Sequence, residues 1–363
     1  MDRKINLCTM FDSHYLDKGL VLYHSLEQVC DSFILYIFTF DQTAYEVLTE
    51  MGLDKAEVIP LEQFETEELL QIKGSRSRGE YCWTCTPVII EYVLDQYQSD
   101  CCTYIDADLF FYQSPQILLE EFKRSGKSVG LVEHRFPNTY HGRSQKSKSG
   151  KYCVQFNTFA NDKVGRDLLK LWRQQCIEEC SLEKCGDQRY LTEWGEKYKQ
   201  HVHEYQHLGG GVASWNLPSY RIRETNQNLY VVHKGRRYEM VFYHFHGVRY
   251  SDDGRVKVGV IAGQDGGLVS RKAIKIIYYP YLYKIELVRN ELKEKYSLEI
   301  YEDGVGRKFQ MTAFDLNRFL KSFWRRLKTE SLWSAIDLVF RVMRKKNDII
   351  DLGDVRDKKG CWK

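Results

Sequence analysis

Residues Phe33-Ile-Leu-Tyr-Ile-Phe-Thr-Phe40 form an apolar, β-prone run with no polar residue at every second position. A strand with one face in water alternates polar and apolar side chains, so a run without alternation must be covered on both faces. Parallel sheets flanked by helices supply that cover, and the neighbouring segments fit. Ile5–Met10 reads as a first strand, and Asp17–Gln28 as a helix whose face carries Leu20, Val21, Tyr23, His24 and Leu26. Asp41 can cap a helix over Thr43–Met51, and Ala56–Pro60 reads as a further strand. Strand–helix alternation of this kind predicts an α/β fold with a mostly parallel sheet, which binds ligands beyond the carboxyl ends of its strands. Phe11-Asp12 and Asp106–Asp108 both fall at such ends.

The second pair stands in Tyr104-Ile-Asp-Ala-Asp-Leu-Phe-Phe-Tyr112, where two carboxylates interrupt an apolar stretch. Positions two apart on a strand project to one side. Asp106 and Asp108 are therefore expected to converge around the small Ala107, where the strand gives way to a loop. Convergent carboxylates in apolar surroundings are costly without a cation between them, and an oxygen-seeking divalent ion answers this most simply. Two solvated turn aspartates are the plainer alternative.

Further along, residues 61–80 read as a polar, mobile connection, and Thr86–Tyr97 as a helix with Pro87 in its first turn. Ser128–Glu133 and Val154–Phe159 read as strands, and Val164–Cys180 as an amphipathic helix. Residues 137–151 form a Gly/Ser/Lys/Arg-rich loop that could serve as a lid, with Arg143, Lys146 and Lys148 as mobile cations. Asp187 can cap the helix opened by Cys185-Gly-Asp-Gln188. Gly209–Gly211 mark a tight backbone passage that could admit a substrate. His244 and His246 alternate with aromatics in Met240–Gly247, so both imidazoles should face one way. No GxGxxG or Walker pattern is present, which disfavours dinucleotide and P-loop sites.

Taken together, the ordered blocks Leu7-Cys-Thr-Met-Phe-Asp-Ser-His-Tyr-Leu16, Asp106-Ala-Asp108, Phe156-Asn-Thr-Phe159, Gly186-Asp-Gln188 and His244-Phe-His-Gly247 resemble GT-A nucleotide-diphospho-sugar transferases. The chain is most similar to glycosyltransferase family 8 of the bacterial polysaccharide and lipopolysaccharide type, over roughly residues 4–250. The resemblance implies a Rossmann-like mixed sheet and transfer of a hexose, with retention, from a UDP-linked sugar to a glycan or lipid-linked acceptor. It implies Mn²⁺ or Mg²⁺ bound by Asp106, Asp108 and His244, with His246 the alternative imidazole; a histidine ligand favours manganese. It further implies a nucleoside pocket at Thr9, Phe11 and Asp12, and Arg78 beside the leaving diphosphate. Asn157 would meet the donor sugar, Asp187 and Gln188 would lie at the reacting centre, and Gly247 would complete the late His-x-x-Gly spacing.

The family core spans residues 1–250, leaving an extension of strands plus helix over 251–311 and a basic amphipathic tail over 312–363. From Arg318 to Lys346 there are nine Lys/Arg and two acidic residues. Phe319, Leu320, Phe323, Trp324 and Leu327 fall at helical spacing, and Leu332, Trp333, Ile336, Val339, Phe340 and Met343 resume it. A helix with an apolar face and a cationic face suits an anionic membrane surface, here assigned to residues 312–347. The net charge of +3 gives weak overall attraction to nucleic acid, and no recognition motif accompanies the basic tail. Eleven cysteines, an odd number without zinc-type spacing, together with the absence of a secretory signal, point to reduced thiols in a cytoplasmic protein, peripheral on the inner face of the membrane. A sugar-phosphate nucleotidyltransferase would need a Gly-rich phosphate loop, which Leu7–Leu16 lacks. A non-catalytic carbohydrate- or membrane-binding protein of the same fold is the remaining alternative.

Overall fold

The computed structural model describes residues 4–226, 228–251, 254–258, 271–300, 316–329, 332, 335 and 349–356. The chain begins β1 (Ile5–Phe11), α1 (Leu16–Val29), β2 (Phe33–Thr39), α2 (Gln42–Met51) and β3 (Ala56–Ile59). Both adjacent strand pairs are parallel, with Leu7 opposite Leu35 and Leu35 opposite Ala56. Along β1 and β2 successive side chains enter opposite layers. Leu7, Leu35 and Ile37 join the apolar layer on one face, and Cys8, Tyr36 and Phe38 the layer on the other. That two-sided burial is the physical reason for the unbroken apolar run. Asp41 caps α2 by accepting from the Ala44 amide at 2.8 Å.

Next come α3 (Leu61–Phe64), α4 (Glu67–Lys73) and α5 (Arg78–Gln96), so residues 61–80 are largely helical rather than a mobile connection. The expected start of the helix at Thr86 is also corrected. Ser77 and Glu80 form a reciprocal capping box, which starts α5 eight residues earlier and leaves Pro87 in the helix interior. Beyond α5 lie β4 (Cys101–Ile105), β5 (Leu109–Phe111), α6 (Gln116–Ser125), β6 (Val129–Glu133), α7 (Tyr140–Ser149) and β7 (Tyr152–Ala160). The expected lid loop is thus mostly α7, whose residues are polar on every side and so carry no periodic signal. The chain continues through α8 (Lys163–Glu178), a 3₁₀ helix (Gly186–Glu193), α9 (Trp194–Lys197) and β8 (Val202–Glu204).

The central sheet has the order β3-β2-β1-β4-β7-β6-β8. It is mostly parallel, with β7 antiparallel to both β4 and β6. Helices cover both faces, giving the α/β architecture with a mostly parallel mixed sheet that the alternation predicts. From β1 the chain passes first to β2 on one side and later to β4 on the other, which opens a crevice at the carboxyl ends of β1 and β4.

Several short strands follow: β9 (Val212–Ala213), β10 (Arg221–Thr225), β11 (Asn228–His233), β12 (Arg236–Glu239), β13 (Phe242–His244), β14 (Arg249–Tyr250) and β15 (Arg255–Lys257). They form three-stranded sheets in the orders β5-β13-β9 and β10-β11-β12, and the third, β14-β15-β16, is closed by β16 (Ile349–Asp351). Between them run α10 (Arg271–Tyr296) and α11 (Leu316–Thr329). Buried Ile277, Tyr278, Tyr281 and Ile285 of α10 share the apolar layer of β1 and α1. Arg289 of α10 donates to fully buried Asp17 of α1 at 2.6 Å. Of the two apolar stretches expected in the tail, α11 covers the first. Leu332 lies just past α11, Trp333, Ile336, Val339, Phe340 and Met343 lie outside the described residues, and no described helix is long and apolar enough to cross a membrane.

The glycines at 209–211 pack against the protein itself instead of admitting a substrate. A Cβ on Gly209 would lie 1.7 Å from the Glu239 carbonyl oxygen, and one on Gly210 would lie 2.7 Å from Leu118. Gly211 adopts φ +81° with Val132 close by. Because the Glu239 backbone must move to make room, Gly209→Ala should destabilise the fold by about 3 kcal/mol. The expected result is a lower urea midpoint with an unchanged slope; an unaltered midpoint would contradict this packing.

Candidate active site

Asp106 and Asp108 lie in the turn between β4 and β5, where the strand gives way. Their convergence follows from the pairing of β5. β5 runs antiparallel to β13 with Leu109 opposite His244, so the histidine is delivered beside the residue preceding Leu109. His244 Nε2 lies 3.0 Å from Asp108 Oδ1 and 3.6 Å from Asp106 Oδ2. The Phe245 amide donates to the Asp108 carbonyl at 3.0 Å, which continues the pairing one residue past β13.

His246 lies past the end of β13 and is exposed, yet it stays on the same side as His244. The rings of His244 and His246 are 5.6 Å apart, and Trp215 contacts them at 5.2 and 5.9 Å. One ligand atom from each of Asp108, His244 and His246 falls within a common 4.8 Å. A carboxylate with two imidazoles suits a first-row divalent ion such as Mn²⁺ better than Mg²⁺. Asp106 borders this set through its 3.6 Å approach to His244, while the Tyr104 hydroxyl donates to its other oxygen at 2.9 Å.

Gln155, on β7, completes the arrangement and was not singled out from the sequence. Its Oε1 lies 2.9 Å from His244 Nδ1, so that nitrogen carries the proton and Nε2 turns toward the carboxylates. A signal existed: Gln155 and Asn157 are polar, two apart and hence on one face of an apolar strand. Burial opposes a charge on His244, but Asp108 and Asp106 outweigh it and raise the pKa. Burial raises Asp106, whereas His244 holds Asp108 well below the usual carboxylate range despite its burial.

Three further polar groups are buried without a protein partner: Thr9 Oγ1, both amide atoms of Asn157, and Asp187 Oδ2. Asn157 lies opposite Tyr104 across the β4–β7 pair. Asp187 sits inside the first turn of its 3₁₀ helix rather than capping one from outside. Its position is held by Trp172, which donates to the Asp187 carbonyl at 3.0 Å. Gly186 adopts φ +60°, and a Cβ there would meet the Trp83 ring at 2.7 Å. Burial pushes the Asp187 carboxyl up to about 7, opposed by a Thr86 hydrogen bond and aided by the Asp106 charge. Gln188 is half-buried next to it.

At the other side of the crevice, Asp12 accepts from the His14 amide at 3.0 Å and pairs with Arg78 Nη2. Arg78 also lies 3.8 Å from Asp41, which accepts from the Ser13 amide and hydroxyl. Of the residues assigned to a nucleoside pocket, Phe11 is packed at its ring. Its ring turns into the core against Gly19, where a Cβ would lie 2.3 Å from Phe11 Cζ. Gly247 takes φ +76° with open space around it. Arg143 and Lys146 are held by Asn138 at 3.1 Å and Glu133 at 3.8 Å, on a helix rather than a loop.

No protein-family model matches the chain. Over 295 residues the chain is 28% identical to the uncharacterized protein YfnD of Bacillus subtilis (strain 168), covering 79% of this chain and 91% of the relative. It is also 28% identical over 257 residues to the uncharacterized protein YfnF of the same bacterium, covering 69% and 84%. Among solved structures it is similar to mouse xyloside xylosyltransferase 1, with a TM-score of 0.40, 17% identity, and coverage of 55% of this chain and 84% of that one. An active-site mutant of LgtC gives a TM-score of 0.43 and 12% identity, with coverage of 67% and 88%.

The raised pKa of Asp187 sets a pH dependence. In the folded chain it keeps its proton to about pH 7, whereas the unfolded chain releases it near the ordinary carboxyl value of 3.8. Its contribution to stability is therefore full below that value and is lost as the pH rises through 7. In EDTA, Asp187→Asn should flatten the decline in melting temperature between pH 5 and pH 7.5. Identical pH slopes for variant and parent would show that Asp187 does not titrate there.

Proposed function

We propose that this protein is a metal-dependent glycosyltransferase that moves a hexose from a UDP-linked sugar to a hydroxyl of a glycan or lipid-linked acceptor. The observation that carries the reading is one place in the fold. An acid–imidazole set with ion-binding spacing lies at the carboxyl ends of β1 and β4, near the buried Asn157 amide and Asp187 Oδ2, which have no protein partner. Buried polar atoms without partners are uncommon in folded proteins, and the hydroxyls of a sugar would satisfy them. Retention at the anomeric carbon follows the family resemblance.

Asp106, Asp108 and His244, joined by His246, would hold Mn²⁺. When bound, such an ion offsets charge developing on the departing nucleoside diphosphate. The chain's own residues do the positioning. Gln155 fixes the tautomer of His244, and Tyr104 orients Asp106. Asn157 hydrogen-bonds the donor sugar. Asp187, with Gln188, lies at the reacting centre, and its near-neutral pKa lets it either accept or donate a hydrogen bond there. The paired Asp12 and Arg78, with Thr9, face the nucleoside end, and Gly247 leaves room beside the histidines.

Screening nucleotide sugars by thermal shift, with and without Mn²⁺, tests this reading, because a ligand of the folded state raises apparent stability. One UDP-sugar should stabilise the protein only with Mn²⁺ and be slowly hydrolysed. Asp108→Ala should abolish both effects, at least a hundredfold for hydrolysis; metal-independent responses, or full activity in the variant, would refute the assignment.

We further infer that α11 rests on an anionic membrane, bringing the site to a lipid-linked acceptor. Leu320 and Trp324 are 39% and 57% exposed one turn apart, beside exposed Lys321, Arg325 and Lys328. Leu320→Glu with Trp324→Glu should reduce sedimentation with phosphatidylglycerol vesicles at least tenfold. Undiminished sedimentation would rule this helix out.

A further inference from the structure

Away from the metal set, the small β10-β11-β12 meander has two unlike faces. Register places Arg221 opposite Val232 and Val232 opposite Arg237, and in the next row Arg223 opposite Tyr230 and Tyr230 opposite Glu239. These six residues share one face because directly paired residues project together. The other face carries Ile222, Val231 and Tyr238, which pack on the core. Lys234-Gly235, with φ of +47° and +77°, close β11 to β12 by the tight turn that suits a twisted hairpin. The meander is thus anchored behind and regular in front.

Arg221, Arg223 and Arg237 are exposed, and Glu239 is the one acidic residue on their face. Like charges gathered on one sheet face are unfavourable without a counter-charge. Among the described residues none of the three forms an ion pair. The Arg237 guanidinium instead lies over the Tyr230 ring at 3.4 Å. That contact leaves the donor edge of the guanidinium open, the edge that grips phosphate in bidentate fashion. Adjacent strands are about 4.8 Å apart, so Arg221 and Arg237, two strands apart, are about 10 Å apart at the backbone. This spacing favours a chain bearing successive anionic groups over a single small anion.

The meander is joined along the chain to the candidate site at both ends. Arg221 follows Trp215-Asn216, whose Trp215 ring touches His244, and Glu239 leads through Met240-Val241 into the strand that carries His244. We propose that the outer face of the β10–β12 meander is a docking surface for a phosphate-bearing glycan polymer. That this polymer is the acceptor rests on the transferase reading above; the anion surface itself does not.

The experiment measures binding of phosphomannan, and of the same mannan stripped of phosphate, to the full chain in EDTA across a range of salt. Phosphomannan should bind with an affinity that falls steeply as salt rises, and the stripped polymer should not bind. Replacing Arg221→Gln, Arg223→Gln and Arg237→Gln together should weaken phosphomannan binding at least tenfold and flatten its salt dependence. Melting temperature and Mn²⁺-dependent UDP-sugar hydrolysis should be unchanged. A tail variant carrying Lys321→Gln, Arg325→Gln and Lys328→Gln should keep polymer binding while losing phosphatidylglycerol vesicles. The proposal is overturned if the meander variant retains its affinity, if the stripped mannan binds equally well, or if only the tail variant loses the polymer. Absence of hydrolysis in the parent protein would refute the transferase reading and leave the polymer result intact.

Discussion

The antiparallel pairing of β5 with β13 is the contact on which the candidate site depends. It joins residues more than a hundred and thirty positions apart, setting His244 opposite Leu109 and therefore beside Asp108. Because a strand repeats every two residues, a one-residue slip would turn His244 into the apolar layer and bring Phe245 to the carboxylates. Several features oppose such a slip. Phe242 packs on Phe111 and Phe156, Tyr243 meets Tyr278 of α10 through a 2.7 Å hydroxyl contact, and Phe245 stacks on Tyr281 of the same helix at 3.7 Å. The imidazole is thus positioned by a core that reaches from the central sheet to α10.

Around that contact the molecule keeps an unusual set of buried polar groups. Asn157, Asp187, Gln155 and Thr9 each retain at least one atom without a protein partner. An unmet buried donor or acceptor costs about 1–3 kcal/mol, so the fold is less stable here than an apolar filling would make it. The same burial lifts Asp187 toward neutrality and holds His134, packed beneath Trp215, down to about 3. His134 is therefore a neutral structural group whose carbonyl accepts from Trp215 and Asn216 at 3.0 and 2.9 Å.

Much of this was legible in the chain because the signals were local. Unbroken apolar runs, separated by helical faces, marked β1 to β3, and the Asp-Ala-Asp interruption marked the acidic pair. Where side chains were polar on every side, as in α7, periodicity had nothing to report, and the Ser77–Glu80 capping box was the overlooked mark of the start of α5. That the Phe11 ring turns into the core was not legible, because sequence proximity to Asp12 says nothing about which face of β1 it occupies. Gln155 and Trp215 escaped notice because their importance lies in what they touch, residues 89 and 29 positions away.

Composition and pattern determined the layered α/β architecture, since only helices on both faces of a sheet can cover Phe33–Phe40. They also determined that carboxylates would stand at a strand end. Which imidazoles meet those carboxylates, which amide holds the tautomer, and which face of the β10–β12 meander is left to its arginines were decided only by long-range strand register. Register is set by packing between segments distant in sequence, and no local run of residues encodes it.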